Sequence, residues 1–312
     1  MRQDVNLNPA VFTAGSSASE QATRPYQPFG IIYENRNTGA NSYNGLEVDL
    51  EKRPAGGTGF LNQITLLANY TYSKANDYNL AENGGITDIG SSLGSGMSVY
   101  DSRQKAFESG PATFDHTNHF VTSFVWTLPK LSSSNGLLRN VVGGWQWTGL
   151  YTITSGDPLT VLAGTDISRT NNNLDRADYV GPSSTYTSGC PALGQPNFSK
   201  HCVPWLNKAN YAAPALGTYG NSGKGAVRGP TLWQADTGLL KNFTPMSSHE
   251  NFNFQFRGEF FNVFNHPQWS DPNVTFANGA FGSTRQTIGT QVGNVLTTAD
   301  YRIIQFALKM NF

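Results

Sequence analysis

The sequence predicts an all-β chain: an antiparallel, up-and-down transmembrane β-barrel segment of seven or eight strands with long extracellular loops. Three observations point there. Strand-length stretches alternate apolar and polar side chains at period two, with no competing helical period. The connections between them alternate short and long, as turns and loops do at opposite ends of a membrane-spanning meander. No run of about 18 apolar residues occurs, which excludes a spanning helix and leaves open spanning strands of about 9–11 residues.

Along the chain the first candidate strand is a weak one at 29–34 (FGIIYE). Seven better ones follow at 43–53, 61–74, 118–128, 144–155, 231–243, 251–264 and 300–312. In 61–74, Ile64, Leu66, Ala68, Tyr70 and Tyr72 oppose Thr65, Asn69, Thr71 and Ser73. In 118–128, Phe120, Phe124, Trp126 and Leu128 share a face, although Val121 and Val125 blur the other. In 144–155, Trp145, Trp147, Tyr151 and Ile153 oppose Gln146, Thr148 and Thr152, while 231–243 is the poorest pattern, with Leu on both faces. In 251–264, Phe252, Phe254, Phe256 and Phe260 alternate with Asn253, Gln255, Arg257 and Glu259. The last stretch sets Ile304, Phe306, Leu308, Met310 and Phe312 against Gln305, Lys309 and Asn311.

The short connections are PAGGTG, PKLSSSNGLLRNVVG and TPMSSHE; the long ones are 75–117, 156–230 and 265–299. A soluble β-sandwich alternates in the same way, its Phe face in a core and its polar face in water. It does not account for the loops, because compact soluble domains rarely carry several structureless loops beyond about 15 residues. Aromatic residues gather toward strand ends, where an apolar ring with a polar tip suits the membrane–water interface. The apolar faces are therefore expected to meet lipid.

By the same parity Glu47, Asp49, Asp236, Arg257 and Glu259 are expected to line the lumen, since Lys or Arg on the lipid face costs roughly 2–4 kcal/mol at mid-membrane. Composition narrows the partners. Lys plus Arg and Asp plus Glu number 21 each, so the chain lacks the charge footprint of a nucleic-acid binder or of a protein drawn to an anionic surface. The opening MRQDVNLNPAVFTAG has neither the basic end nor the apolar stretch of a signal peptide, so the chain is expected either to stay inside the cell or to be a piece of something larger. Residues 1–28 read as an irregular N-terminal segment and 29–312 as the barrel portion.

Cys190 and Cys202 lie close together in a loop rich in Gly, Pro, Ser and Asn. In an oxidising compartment they would form a disulfide; otherwise they are free thiols, or zinc ligands lacking two partners, with only His201 nearby. His116 and His119 in DHTNH are three apart, hence on opposite faces of a strand and poorly placed for joint ligation; they and His266 read as structural. In 164–179, Asn171, Asn173, Asp175 and Asp178 offer oxygens at alternate positions as calcium sites require, without the Gly and closing Glu of an EF-hand. GNSGKGAVRGP (220–230) lacks the Ser or Thr after Lys224 and the helix that a phosphate-binding loop needs. No catalytic constellation and no cofactor motif stands out, so the expectation is a protein that is not an enzyme.

Taken together, SYNGLEVDLEKR, ANYTYSKANDY, FDHTNHFVTSFVWTLPK, GGWQWTGLYTITSGDPLTV, LDRADYVG, GKGAVRGPTLWQADTGLLKNF, FQFRGEFFNVFNHPQW and IIQFALKMNF occur in the order found in a known family. The chain resembles, over about residues 30–312, the C-terminal barrel portion of Oar-like TonB-dependent outer-membrane receptors. The resemblance implies a large barrel of typically about 22 strands, of which this chain would be an incomplete part. It also implies an N-terminal plug that contacts an energy-coupling protein; neither the plug nor its coupling segment is found in this sequence. The activity implied is uptake of a solute such as a carbohydrate or metal chelate, with outer-membrane lipid, the barrel-assembly machinery and an extracellular ligand of unknown identity as partners.

The last strand resembles the signal read by the assembly machinery, through Gln305, Ala307, Met310 and Phe312, with Ala307 where Gly is usual and Met310 where an aromatic is common. Two alternatives stand beside the receptor. A self-contained eight-stranded barrel acting as adhesin or structural anchor would have to pair Glu47, Asp49, Glu51, Arg257 and Glu259 internally, because so small a barrel is packed by side chains. A soluble extracellular β-protein or enzyme would need a buried apolar face and a catalytic cluster.

Overall fold

The computed structural model describes residues 3–14, 18–36, 40–55, 59–77, 109–129, 141, 143–169, 175–191, 202–243, 253–288 and 301–311. The chain opens with β1 (Gln3–Asn6) and β2 (Tyr33–Arg36), an antiparallel pair that stands apart from the main sheet. Asn8 holds the excursion between them. Its side-chain amide donates to the carbonyls of Tyr26, Phe29 and Gly30, and its side-chain oxygen accepts from the Tyr26 N–H. The strand expected at 29–34 is thus corrected: the extended backbone is at β2, and it pairs with β1 instead of joining the sheet.

Among the described residues seven long strands make the main sheet: β3 (Asn41–Lys52), β4 (Ile64–Asp77), then, after the two-residue β5 (Gly110–Pro111) that pairs with the end of β4, β6 (Asn118–Thr127) and β7 (Trp145–Thr154). Five two-residue strands lie in the next connection: β8 (Pro158–Leu159), β9 (Asp178–Tyr179), β10 (Val203–Pro204), β11 (Tyr211–Ala212) and β12 (Val227–Arg228). The sheet resumes with β13 (Leu232–Phe243) and β14 (Asn253–Phe261) and, beyond the short β15 (Ser283–Thr284), ends with β16 (Ile303–Asn311). All seven long strands expected from period two are present, with ends shifted by at most three residues. Each pairs antiparallel with the next in the order β3-β4-β6-β7-β13-β14-β16, and the sheet stays open, with β3 and β16 at its margins.

Register turns the alternation of single strands into two continuous faces. One row runs Val48, Tyr70, Phe120, Ile153, Trp233; another runs Ile64, Trp126, Trp147, Leu239, Gly258, Phe306. Rings touch from strand to strand along this face: Phe120 with Tyr151, Tyr151 with Trp233, Trp145 with Phe256 and Phe256 with Phe306, at centroid distances of 6.0–6.3 Å. The opposite face carries rows such as Asp49, Asn69, Val121, Thr152, Gln234. Val121, Val125, Leu150 and Leu240 fall on that polar face, which is why β6 and β13 blur the pattern.

Among the described residues no layer of protein covers the aromatic face. Leu46, Leu50, Phe306 and Leu308 are 58–67% exposed. Among the described residues the buried apolar side chains are Ala10, Ala75, Ala112, Val161, Leu162, Ala163, Ala177, Leu206 and Phe281, of which only Ala75 belongs to the main sheet. The soluble alternative required this face to be buried, and it is not.

The core sits instead in the connections. Val161, Ala177, Leu206 and Phe281 cluster, with Tyr211, Val227, Val274 and Phe276 packed around them. β8 pairs with β12, β9 with β11 and β10 with β15, so the described residues of 155–231 fold together with 262–288 into a cap at one end of the strands. The expectation of structureless long loops is corrected here. Two-residue strands between Pro and Gly are too short to leave a periodic trace, while a few well-placed apolar side chains suffice for a small core.

Candidate functional site: the tethered loop cap

All three long connections leave from the same end of the sheet, beyond Asp77, Thr154 and Phe261, and the cap is bound to the strand ends there by ion pairs. Lys224, in the glycine-rich segment, pairs with Asp77 at the end of β4; both side chains are withdrawn from water, at 2% and 7% exposure. The glycines bring the backbone close enough for this. A Cβ on Gly110 would lie 2.7 Å from the Lys224 carbonyl oxygen, and Gly225, at φ +59°, fits against Pro111 and Pro158 while its N–H donates to the Thr160 hydroxyl. The segment that lacks the features of a phosphate cradle is therefore a tether.

Four residues on, Arg228 pairs with the buried Asp115 carboxylate and donates to the Asp115 carbonyl at 2.7 Å and the Thr117 hydroxyl at 3.0 Å. Asp115 in turn accepts the Ala75 N–H at 2.6 Å, so one carboxylate joins β4 to the far loop. His116 contacts the Ser155 carbonyl through Nδ1, which also lies 3.6 Å from Asp157. Asp271 neighbours Asp157, and lost hydration together with that second carboxylate pushes it up to about 6. His119 points to the other loop-end contact, the Thr154 hydroxyl at 2.9 Å. His266 stacks on Trp233 at 4.1 Å, and partial burial lowers its pKa.

Cys190 and Cys202 are bonded to each other, their Cα atoms 5.5 Å apart. The bond lies beside the β10–β15 pair, where the Gly189 N–H donates to the Phe281 carbonyl. It therefore closes the part of the cap that packs on Phe281.

The five charges expected in a lumen share the polar face but form no cluster. Glu47 and Asp49 stand on the marginal strand β3, with Asp49 accepting from the Asn69 amide, and Glu51 pairs with Arg53 at 2.6 Å. Asp236 lies four strands away on β13, accepting from the Gln234 amide and the Asn262 N–H. Arg257 and Glu259 sit on β14, 3.6 Å apart, and Glu259 also accepts from Gln305. Gln305 and Ala307 lie on the polar face of β16 and Met310 on the apolar one; Phe312 lies outside the described residues. So do Asn171, Asn173, His201, His249 and Phe252.

Three lysines break parity: Lys52 and Lys74, toward the ends of β3 and β4, and Lys241. Lys241 of β13 is on the aromatic face, opposite Trp145 and Phe256. It is 5% exposed, its ammonium group donating to the Gly143 carbonyl and standing 5.5–6.0 Å from the rings of Phe243 and Trp145. The site is at the short-turn end, where a long amine can curl away from the apolar band.

An antiparallel meander with one bare apolar face, one polar face, short turns at one end and a folded cap at the other has the build of a membrane-spanning β-barrel wall. A family model described as "Outer membrane beta barrel domain" matches residues 1–305, and the chain belongs to that family. Its location is accordingly the outer membrane. Neither the curated proteins nor the solved structures include a match to this chain.

Proposed function

We propose that this chain is one sector of a larger outer-membrane barrel of the TonB-dependent receptor type, in which the loop cap meets an extracellular solute and the polar face lines the passage. The supporting observation is directional. Seven strands that alternate in direction leave β3 and β16 running the same way. Joining them to each other would make a parallel seam, and so would any edge of a second copy inserted in the same orientation. Bacterial barrels are closed by antiparallel neighbours, so closure calls for an odd number of further strands.

The margins favour such neighbours for a second reason. Backbone groups left unpaired in hydrocarbon cost several kcal/mol each, and β3 alone spans 12 residues. A self-contained eight-stranded adhesin is the weaker reading, because the weak strand meant to complete it pairs with β1 instead.

In this reading the aromatic face meets lipid, the role is non-catalytic, and the barrel-assembly machinery delivers the sheet. In receptors of this type the energy-coupling protein is reached through an N-terminal plug. The test is uptake: a deletion strain is assayed with a panel of labelled carbohydrates and metal chelates. Loss of uptake of one solute, restored by the gene and abolished when the proton gradient is collapsed, is expected. Unchanged uptake of every solute, or uptake indifferent to the gradient, overturns the reading.

A further inference from the structure

Three aspartates of the cap region are almost closed to solvent: Asp77, Asp115 and Asp175, with exposures of 6%, 3% and 2%. Lys224 neutralises the first and Arg228 the second. No cationic side chain pairs with the third among the described residues. Asp175 Oδ2 accepts the Ser168 N–H at 2.6 Å, while its Oδ1 is buried with no hydrogen-bond partner at all. An ionised oxygen left bare in a low-dielectric interior is strongly unfavourable, so a positive species is missing from the account.

The surroundings say which species fits. The turn before Asp175 is bracketed by Gly164 at φ +89° and Arg169 at φ +58°, and it folds back so that the Ser168 hydroxyl donates to Asp166 Oδ1 at 3.2 Å. The Ser168 N–H is held by the Asp175 carboxylate while the Ile167 N–H goes to the Thr165 carbonyl, and Asp166 adds a second negative charge nearby. Every side-chain donor gathered here is oxygen. That argues against a structural zinc site, which is built mainly on cysteine sulfur and histidine nitrogen, and an irregular turn suits the flexible oxygen shell of calcium better than the strict octahedron of magnesium.

We propose that Asp175 and Asp166, with the Ser168 hydroxyl, bind a calcium ion that completes the buried side of the loop cap. Asp178, which the sequence pattern offered as a ligand, is instead held in β9 opposite Ala212. With two carboxylates the site is a weak one, in the range of about 10⁻⁴–10⁻³ M typical of extracellular calcium modules.

The experiment is calcium titration of the full chain, folded in detergent micelles and stripped with chelator, followed by calorimetry at neutral pH. One saturable site in that range is expected, weakened at least about tenfold in Asp175→Asn and in Asp166→Asn, since ligand charge sets calcium affinity. Asp49→Asn, on β3, is expected to bind as the unaltered chain does. Asp166 is only half-buried, so its variant reads the site even where Asp175→Asn disturbs the fold. Absence of saturable binding, unchanged affinity in Asp166→Asn, or an equal loss in Asp49→Asn overturns the proposal. The site is in the cap, so its failure and the failure of the transport reading are separate results.

Discussion

Phe124 lies over Gly149, its register partner on the next strand, and fills the space that a side chain at 149 would need. A Cβ built there would stand 2.3 Å from the ring, which is itself held edge-on against Trp147 at 5.0 Å. The same device recurs where the Phe306 ring covers Gly258. Glycine, poor in a strand by itself, is used here to seat a cross-strand aromatic.

Gly149→Val is therefore expected to destabilise the folded sheet by about 1–3 kcal/mol through overpacking. Gly279→Ala, with nothing within 4 Å of the added carbon, is the control and is expected to be silent. Urea unfolding in lipid vesicles, read by Trp fluorescence, compares the two.

The two faces make opposite demands on charge. Phe256→Arg, on the aromatic face of β14 and level with Lys241 toward the short-turn end, is expected to cost about 1–2 kcal/mol of folding free energy in bilayers, between the midplane and interface values. Arg257→Ala, one residue on, is expected to cost well under about 1 kcal/mol, because its pairing with Glu259 at 3.6 Å is half-exposed. Equal costs for the two variants would show that the faces have been exchanged or that neither meets lipid.

The tether at Lys224 is expected to behave as a buried ion pair. Lys224→Met leaves the Asp77 carboxylate uncompensated and should loosen the cap by about 3–5 kcal/mol, whereas the double change with Asp77→Leu should recover most of that loss. Limited proteolysis reports it as cleavage between 155 and 231 that appears in the single variant and fades in the double.

Burial leads the factors that push Asp175 up to about 6 from 3.8. Between those values the folded chain holds a proton that the unfolded chain has released. The stabilisation is complete below the lower value and is lost as pH rises through the upper one. In calcium-free buffer, the stability difference between the unaltered chain and Asp175→Asn should thus fall as pH rises from about 4 past about 6. A difference that stays flat across this window would mean that the carboxyl is hydrated.

The strands were legible because a two-sided sheet forces period two on the sequence, and Ile64 to Tyr72 and Phe254 to Phe260 obey it apart from Leu67 and Gly258. Parity failed at Lys241, where the deciding partner is a main-chain carbonyl at Gly143 that no side-chain pattern reveals. The cap was illegible for a different reason. Lys224 and Asp77 are 147 residues apart, and the buried cluster draws Val161, Ala177, Leu206 and Phe281 from well-separated positions. Only the abundance of Gly and Pro around 220–230 hinted at close backbone approach, and by itself it named no partner. The stretch 164–179 shows alternating oxygens in sequence; what matters at Asp175 is burial, which spacing does not encode.

The sheet has no water-excluding interior of its own, while the loops do, so the molecule is stitched together from two parts with inverted solvent needs. Detergent that shields the aromatic face does nothing for the cluster around Phe281, and the aqueous buffer that drives that cluster together offers the strands no shelter. The two parts are held in one piece by a handful of charged hinges at Asp77 and Asp115. Melting this protein is consequently a matter of two thresholds, one set by the amphiphile and the other by the salt and protons outside it.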